Sequence, residues 1–122
     1  MGLLQVAQHA EDLDRAVAFY RDTLGLPFIA RFDPPGLAFL DLGNTRLLLE
    51  ANAPTAVLYL EVDDITAAHR RLLDAGVDTI GDPHLIHTDT AGDLGPTGTE
   101  TWMTFFHDTE GNTLAYVETR AA

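Results

Sequence analysis

Two histidines three apart, His84 and His87, and a single tryptophan, Trp102, carry the densest chemistry in this chain. A neutral imidazole facing a ligand donates or accepts a hydrogen bond and can act as a general base near neutral pH. Residues three apart on a strand fall on opposite faces, so His84 and His87 are expected to split, with one facing a ligand. Trp102, beside Glu100 and a glycine-rich segment, reads as a stacking platform or as an anchor for that segment. Phe39, Tyr59 and Phe105 join it as rings expected to line a cavity, with Phe28 and Phe32 at its mouth. Of Phe105 and Phe106, alternation sends one to the core. A pocket faced with rings and few polar groups suits a flat, mostly apolar organic molecule held by stacking and area burial. His9, His69 and His107 read as solvated or structural: before the first helix, on the exposed side of the second, and ahead of a turn at 108–112. Glu50 and Glu118 read as solvated strand ends. The pairs Glu11-Asp12 and Asp63-Asp64 read as helix N-terminal carboxylates, favoured there by the macrodipole.

Much other chemistry is excluded. The chain has no cysteine and no serine, which removes disulfides, thiolate sites and a serine nucleophile. Gly92, Gly95 and Gly98 follow no strand-to-helix geometry, so they form no phosphate loop. Nineteen acidic residues face seven arginines and no lysine, for a formal charge of -12. That field repels phosphate backbones and anionic lipid, arguing against nucleic-acid and membrane partners. Apolar runs fall far short of the roughly 20 residues that cross a bilayer. Met1 to Leu4 is too short and uncharged for a signal peptide, so a cytoplasmic location is expected.

The elements that must position these residues repeat. An alternating stretch, an acidic helix start and an amphipathic helix closed by glycine occur from Gln5 and again from Val57. Each copy is followed by alternating stretches containing Gly43-Asn44 or Gly111-Asn112. The pattern is β-α-β-β-β twice, an α+β class, in one domain with halves at about 1–53 and 54–122 and a ligand cavity between them. Asp12 and Asp64 are placed as N-caps. The first helix is expected to bury Leu13, Ala16, Val17, Tyr20 and Leu24 and to stop at Gly25; the second buries Ile65, Ala68, Leu72 and Leu73 and stops at Gly76. Strands are expected at 3–9, 28–32, 37–41, 46–50, 56–62, 77–80, 84–88, 102–107 and 113–118. Residues 89–99, rich in glycine and poor in apolar content, read as a mobile loop and a lid candidate.

The phrases EDLDRAVAFYRDTLGL at 11–26, VDDITAAHRRL at 62–72 and FFHDTEGNTLA at 105–115 resemble the vicinal oxygen chelate superfamily. This superfamily gathers glyoxalases, extradiol dioxygenases and bleomycin-resistance binding proteins. The resemblance spans essentially the whole chain and implies paired βαβββ modules, the glyoxalase/bleomycin-resistance fold, usually as a homodimer. It also implies where a divalent metal would be held in the enzymes: one first-strand and one last-strand position of each module. Here those positions are Gln5, Leu48, Val57 and Ala115. Only Gln5 offers a donor, and a lone amide oxygen does not hold a divalent ion. A displaced site using Gln5, Glu50 and a histidine is the alternative, since Glu50 shares a strand face with Leu48. The favoured expectation is a homodimeric binder of an aromatic or glycopeptide-type natural product, with no metal, no cofactor and no catalytic residue. Its candidate ligand-binding positions are Gln5, Phe39, Leu48, Glu50, Val57, Tyr59, His84, His87, Trp102, Phe105 and Ala115. The competing expectation is an isomerase, lyase or dioxygenase with a displaced metal site or a histidine base.

Overall fold

The computed structural model describes residues 1–121. Its elements run β1 (Gln5–His9), α1 (Leu13–Val17), a π-helical turn (Ala18–Thr23), β2 (Phe28–Phe32), β3 (Leu37–Asp41), β4 (Arg46–Glu50), β5 (Val57–Glu61), α2 (Ile65–Asp74), β6 (Thr79–Asp89), β7 (Thr99–His107) and β8 (Thr113–Arg120). Two compact units result. The first holds Met1–Ala56 together with Asp108–Asn112, and the second holds Val57–His107 and the chain from Thr113 onward. No helix among the described residues is long and apolar enough to cross a membrane.

In the first unit a four-stranded sheet has the order β1-β4-β3-β2. β1 runs parallel to β4, and the other pairs are antiparallel. Asp12 caps α1 as its side-chain type predicts, accepting from the Arg15 amide at 3.1 Å. The helix then departs from the expected 3.6-residue period. The Leu24 amide bonds the carbonyl of Phe19 at 2.9 Å, five residues back. That wider turn sends both Phe19 and Tyr20 inward, with the rings edge to face at 5.3 Å, where Phe19 was not among the residues expected to be buried. Ala38, Leu40, Leu47 and Leu49, none of them exposed, receive these groups from the sheet's inner face.

The 108–112 turn carries a buried polar network. Asp108 accepts from the Tyr20 hydroxyl at 2.6 Å and from three further donors, the Glu110 and Asn112 amides and the Asn112 side chain, each at 2.8 Å. Gln8 donates to the same Tyr20 hydroxyl. Burial, then the Asp108 charge, push the Tyr20 hydroxyl pKa far above the usual phenol range. Asn112 ties the chain together by donating to the His9 carbonyl at 2.7 Å and accepting from the Ala56 amide at 2.9 Å. Glu110, its side chain wholly enclosed, accepts from Arg15 Nε at 2.7 Å and from the Asp12 amide at 2.9 Å. Burial alone would raise its carboxyl pKa, but these bonds and one from Thr109 outweigh it and hold the value at about 2.

In the second unit the sheet order is β5-β8-β7-β6, with β5 parallel to β8. Asp64 caps α2 through the Ala67 amide at 3.1 Å. Ile65, Ala68 and Leu72 are buried, as helical spacing requires, and so are Phe106 and Leu114 on the strands beside α2. Two expectations for α2 fail. His69 is not on the exposed side: it lies one turn from Ile65, is buried, and its Nδ1 sits 3.3 Å from Thr104 Oγ. Leu73 is correspondingly turned out, at 46% exposed. Glu118 is not a solvated strand end either, because it accepts from the Ile65 amide at 2.8 Å and helps start α2. That bond, and one from Arg120, hold its carboxyl below the usual range.

The two short strands expected at 77–80 and 84–88 form one strand, β6, interrupted by register shifts between Ile80 and His84 and between Leu85 and His87. The segment expected as a bare mobile loop is built around its first residue. Asp89 is buried, and its carboxylate accepts the amides of Asp93, Leu94 and Gly95 at 2.8 to 2.9 Å. Burial raises its pKa, and these backbone bonds overcome that to hold it below the usual carboxylate range.

Candidate ligand-binding sheet faces

Each sheet has one face packed on its helix and one face open. In the first unit the register aligns Gln5 with Arg46, Ala7 with Leu48, His9 with Glu50, and Phe39 with both Leu48 and Ala30. Gln5, Phe39, Leu48 and Glu50 therefore share the open face, as their strand positions predicted. Phe32 completes an edge-to-face pair with Phe39, ring centroids 6.0 Å apart. Leu48 is a buried hydrocarbon floor beneath them. Arg46, which sequence reasoning passed over, holds the polar end of this face. Its guanidinium lies 5.6 Å from the Phe39 ring centroid and donates from Nε to the Gln5 side-chain oxygen at 2.7 Å. An arginine at a strand start between a Gly-Asn turn and a leucine run resembles a solvent-facing charge, which hides its partnership with β1.

In the second unit Val57, Tyr59, Phe105 and Ala115 share the open face. Ala115 pairs with Tyr59 on one side and Phe105 on the other. It is wholly buried between them, while the two rings meet edge to face at 6.3 Å. Val57 and Tyr59 stand more than half exposed. Of Phe105 and Phe106, it is Phe106 that goes to the core.

The histidine pair does not split. His84 registers with Met103 and His87 with Thr101, two positions apart on β7, because the bulge at Ile86 consumes the odd residue. Both histidines are exposed and belong to the same face as Phe105. His84 Nδ1 donates to the Asp82 carbonyl at 3.1 Å, leaving Nε2 as the acceptor of the neutral ring.

Trp102 is on the other face. It registers with Glu118 and Leu85, one position off the Phe105 and Met103 rows. Its indole donates to Glu100 at 3.0 Å, and the Arg120 guanidinium lies 4.2 Å over its ring. The structure thus does not bring Trp102 to the face of Tyr59 and Phe105.

The donor set at the positions where the resemblance implies a metal does not fit one. Leu48, Val57 and Ala115 supply no lone pair, and the Gln5 oxygen is engaged by a cationic guanidinium. Among the described residues, no three His, Cys, Asp or Glu side chains are grouped so as to hold a metal ion.

Residues 2–116 match the model of the Glyoxalase/Bleomycin resistance protein/Dioxygenase superfamily, and the chain belongs to that superfamily. A glyoxylase-like domain-containing protein of Didymella fabae is 33% identical over 118 residues, covering 87% of this chain and 84% of that protein. A superfamily member from Sphaerobacter thermophilus superposes with a TM-score of 0.76 at 22% identity, covering 97% of each chain. Lactoylglutathione lyase from Agrobacterium tumefaciens superposes with a TM-score of 0.70 at 23% identity, covering 96% of this chain and 92% of that one. At these identities the superpositions establish the shared fold of paired βαβββ modules.

Proposed function

We propose that this chain is a metal-independent binding protein that holds a small aromatic organic molecule on its open sheet faces and releases it unchanged. Sequestration of an aromatic or glycopeptide-type natural product by a cytoplasmic homodimer is the concrete form of the proposal. The observation that carries it is the replacement of donor atoms by hydrocarbon and rings: Leu48 lies under Phe39, and Ala115 lies between Tyr59 and Phe105. Such surfaces gain from burying apolar area and stacking, and Leu48, Val57 and Ala115 supply no lone pair with which to hold a metal. The test is equilibrium dialysis against bleomycin and a panel of aromatic acids and amides in excess chelator, with mass spectrometry of the recovered ligand. Chelator-resistant binding and unaltered mass support the reading. Binding that requires added zinc, nickel, manganese or ferrous ion, or a product of new mass, overturns it.

The shared face of His84 and His87 favours a second reading, general-base catalysis without a metal. In that case His84→Ala or His87→Ala abolishes turnover while leaving ligand affinity nearly unchanged.

A further inference from the structure

In a chain of charge -12, an arginine without an acidic partner stands out. Arg15, Arg21, Arg31, Arg70 and Arg120 each lie within 4.0 Å of a carboxylate. Among the described residues only Arg46 and Arg71 do not, and Arg71 belongs to α2, away from the open faces. Arg46 is exposed on the open face of the first sheet, beside the Phe32 and Phe39 pair. One of its five donors is used, Nε toward the Gln5 oxygen. The Gln5 contact restrains the guanidinium without neutralising it, and its terminal nitrogens bond no other described residue. The nearby acids do not take that place: Asp41, its neighbour in register, spends one oxygen on the Gly43 amide at 2.8 Å, and Glu50 lies at the far end of β4.

We infer that the first unit's open face selects aromatic ligands that carry a carboxylate or another planar oxyanion. The ring packs on Phe39 and Phe32, and the oxyanion takes the free edge of Arg46 in a bidentate, charge-assisted pair. This rests on the binding function proposed above and narrows it to a ligand class. The negative field of the whole chain makes this face selective as well, since an anion not matched to Arg46 is repelled.

The test compares matched probes, 2-naphthoate against 2-naphthamide and indole-3-acetate against its amide, by isothermal titration in low salt. The acids should bind about tenfold tighter than their amides, as expected for hydrogen bonds to a charged group. The preference should shrink as ionic strength rises. Arg46→Met should remove the acid preference while keeping amide binding, Arg46→Lys should restore part of it, and Phe39→Ala should weaken both probes. Thermal unfolding of each variant shows that the fold survives. Equal affinity of acid and amide for the wild type, or an acid preference that persists in Arg46→Met, overturns the oxyanion inference and leaves the binding function standing. Failure of every probe to bind overturns both.

Discussion

The Tyr20 hydroxyl donates to the Asp108 carboxylate across 2.6 Å, joining residues 88 positions apart in the sequence. Gln8 donates to the same hydroxyl from β1, so one phenol oxygen couples the helix, the first sheet and the 108–112 turn. Tyr20→Phe removes that oxygen and leaves two buried polar groups short of a partner. It should cost about 1–3 kcal/mol in urea unfolding, with little change in slope.

Glu110 makes the protein acid-sensitive in a defined window. Its pKa is about 2 in the fold against 4.5 for an ordinary glutamate, so its contribution is fully present above about pH 4.5 and lost as pH falls toward 2. Stability measured from pH 6 to pH 2 should therefore fall less steeply in Glu110→Gln than in the wild type. Parallel curves would show that the Arg15 pairing is not coupled to folding.

Asp89 should control the 90–98 loop. In Asp89→Ala the amides of Asp93, Leu94 and Gly95 lose their acceptor, and their hydrogen exchange should accelerate by about tenfold or more. Exchange elsewhere on β7 should change far less.

Trp102 and Tyr59 should separate cleanly in ligand titrations. Trp102→Ala loses the Glu100 and Arg120 contacts on the helix-packed face and should lower stability while leaving affinity within about twofold. Tyr59→Ala strips the open face of the second sheet and should weaken an aromatic ligand held there by about tenfold. The reverse order would place the ligand on the other side of the sheet.

Local signals with a physical mechanism were readable from sequence. The two aspartate caps, the strands at 28–32, 37–41 and 46–50, and the split of Phe105 from Phe106 across the sheet each depend on neighbours a few residues away. Features set by one extra or one missing residue were not. The π-helical turn that buries Phe19 and the bulge at Ile86 that returns His87 to the side of His84 both break the period on which the reading relied. The row of Trp102 is fixed by its pairing with β8, and aromatic character alone does not select a face. Arg46 was missed because its meaning lies across the sheet, in Gln5 and Phe39.

The five residues 108–112 also bear on how the chain can be made. The two halves share a phrase, yet the first half does not contain everything it needs: the partners of Tyr20, Arg15 and the His9 carbonyl are encoded about 90 to 100 residues downstream. A growing chain must extend past β7 before the earlier sheet can close its polar interior. Fastening that interior therefore carries the entropy cost of closing a long loop. Resemblance between the repeats does not make the first a free-standing piece, and a protein cut after Ala56 would lack the acids that fasten its helix.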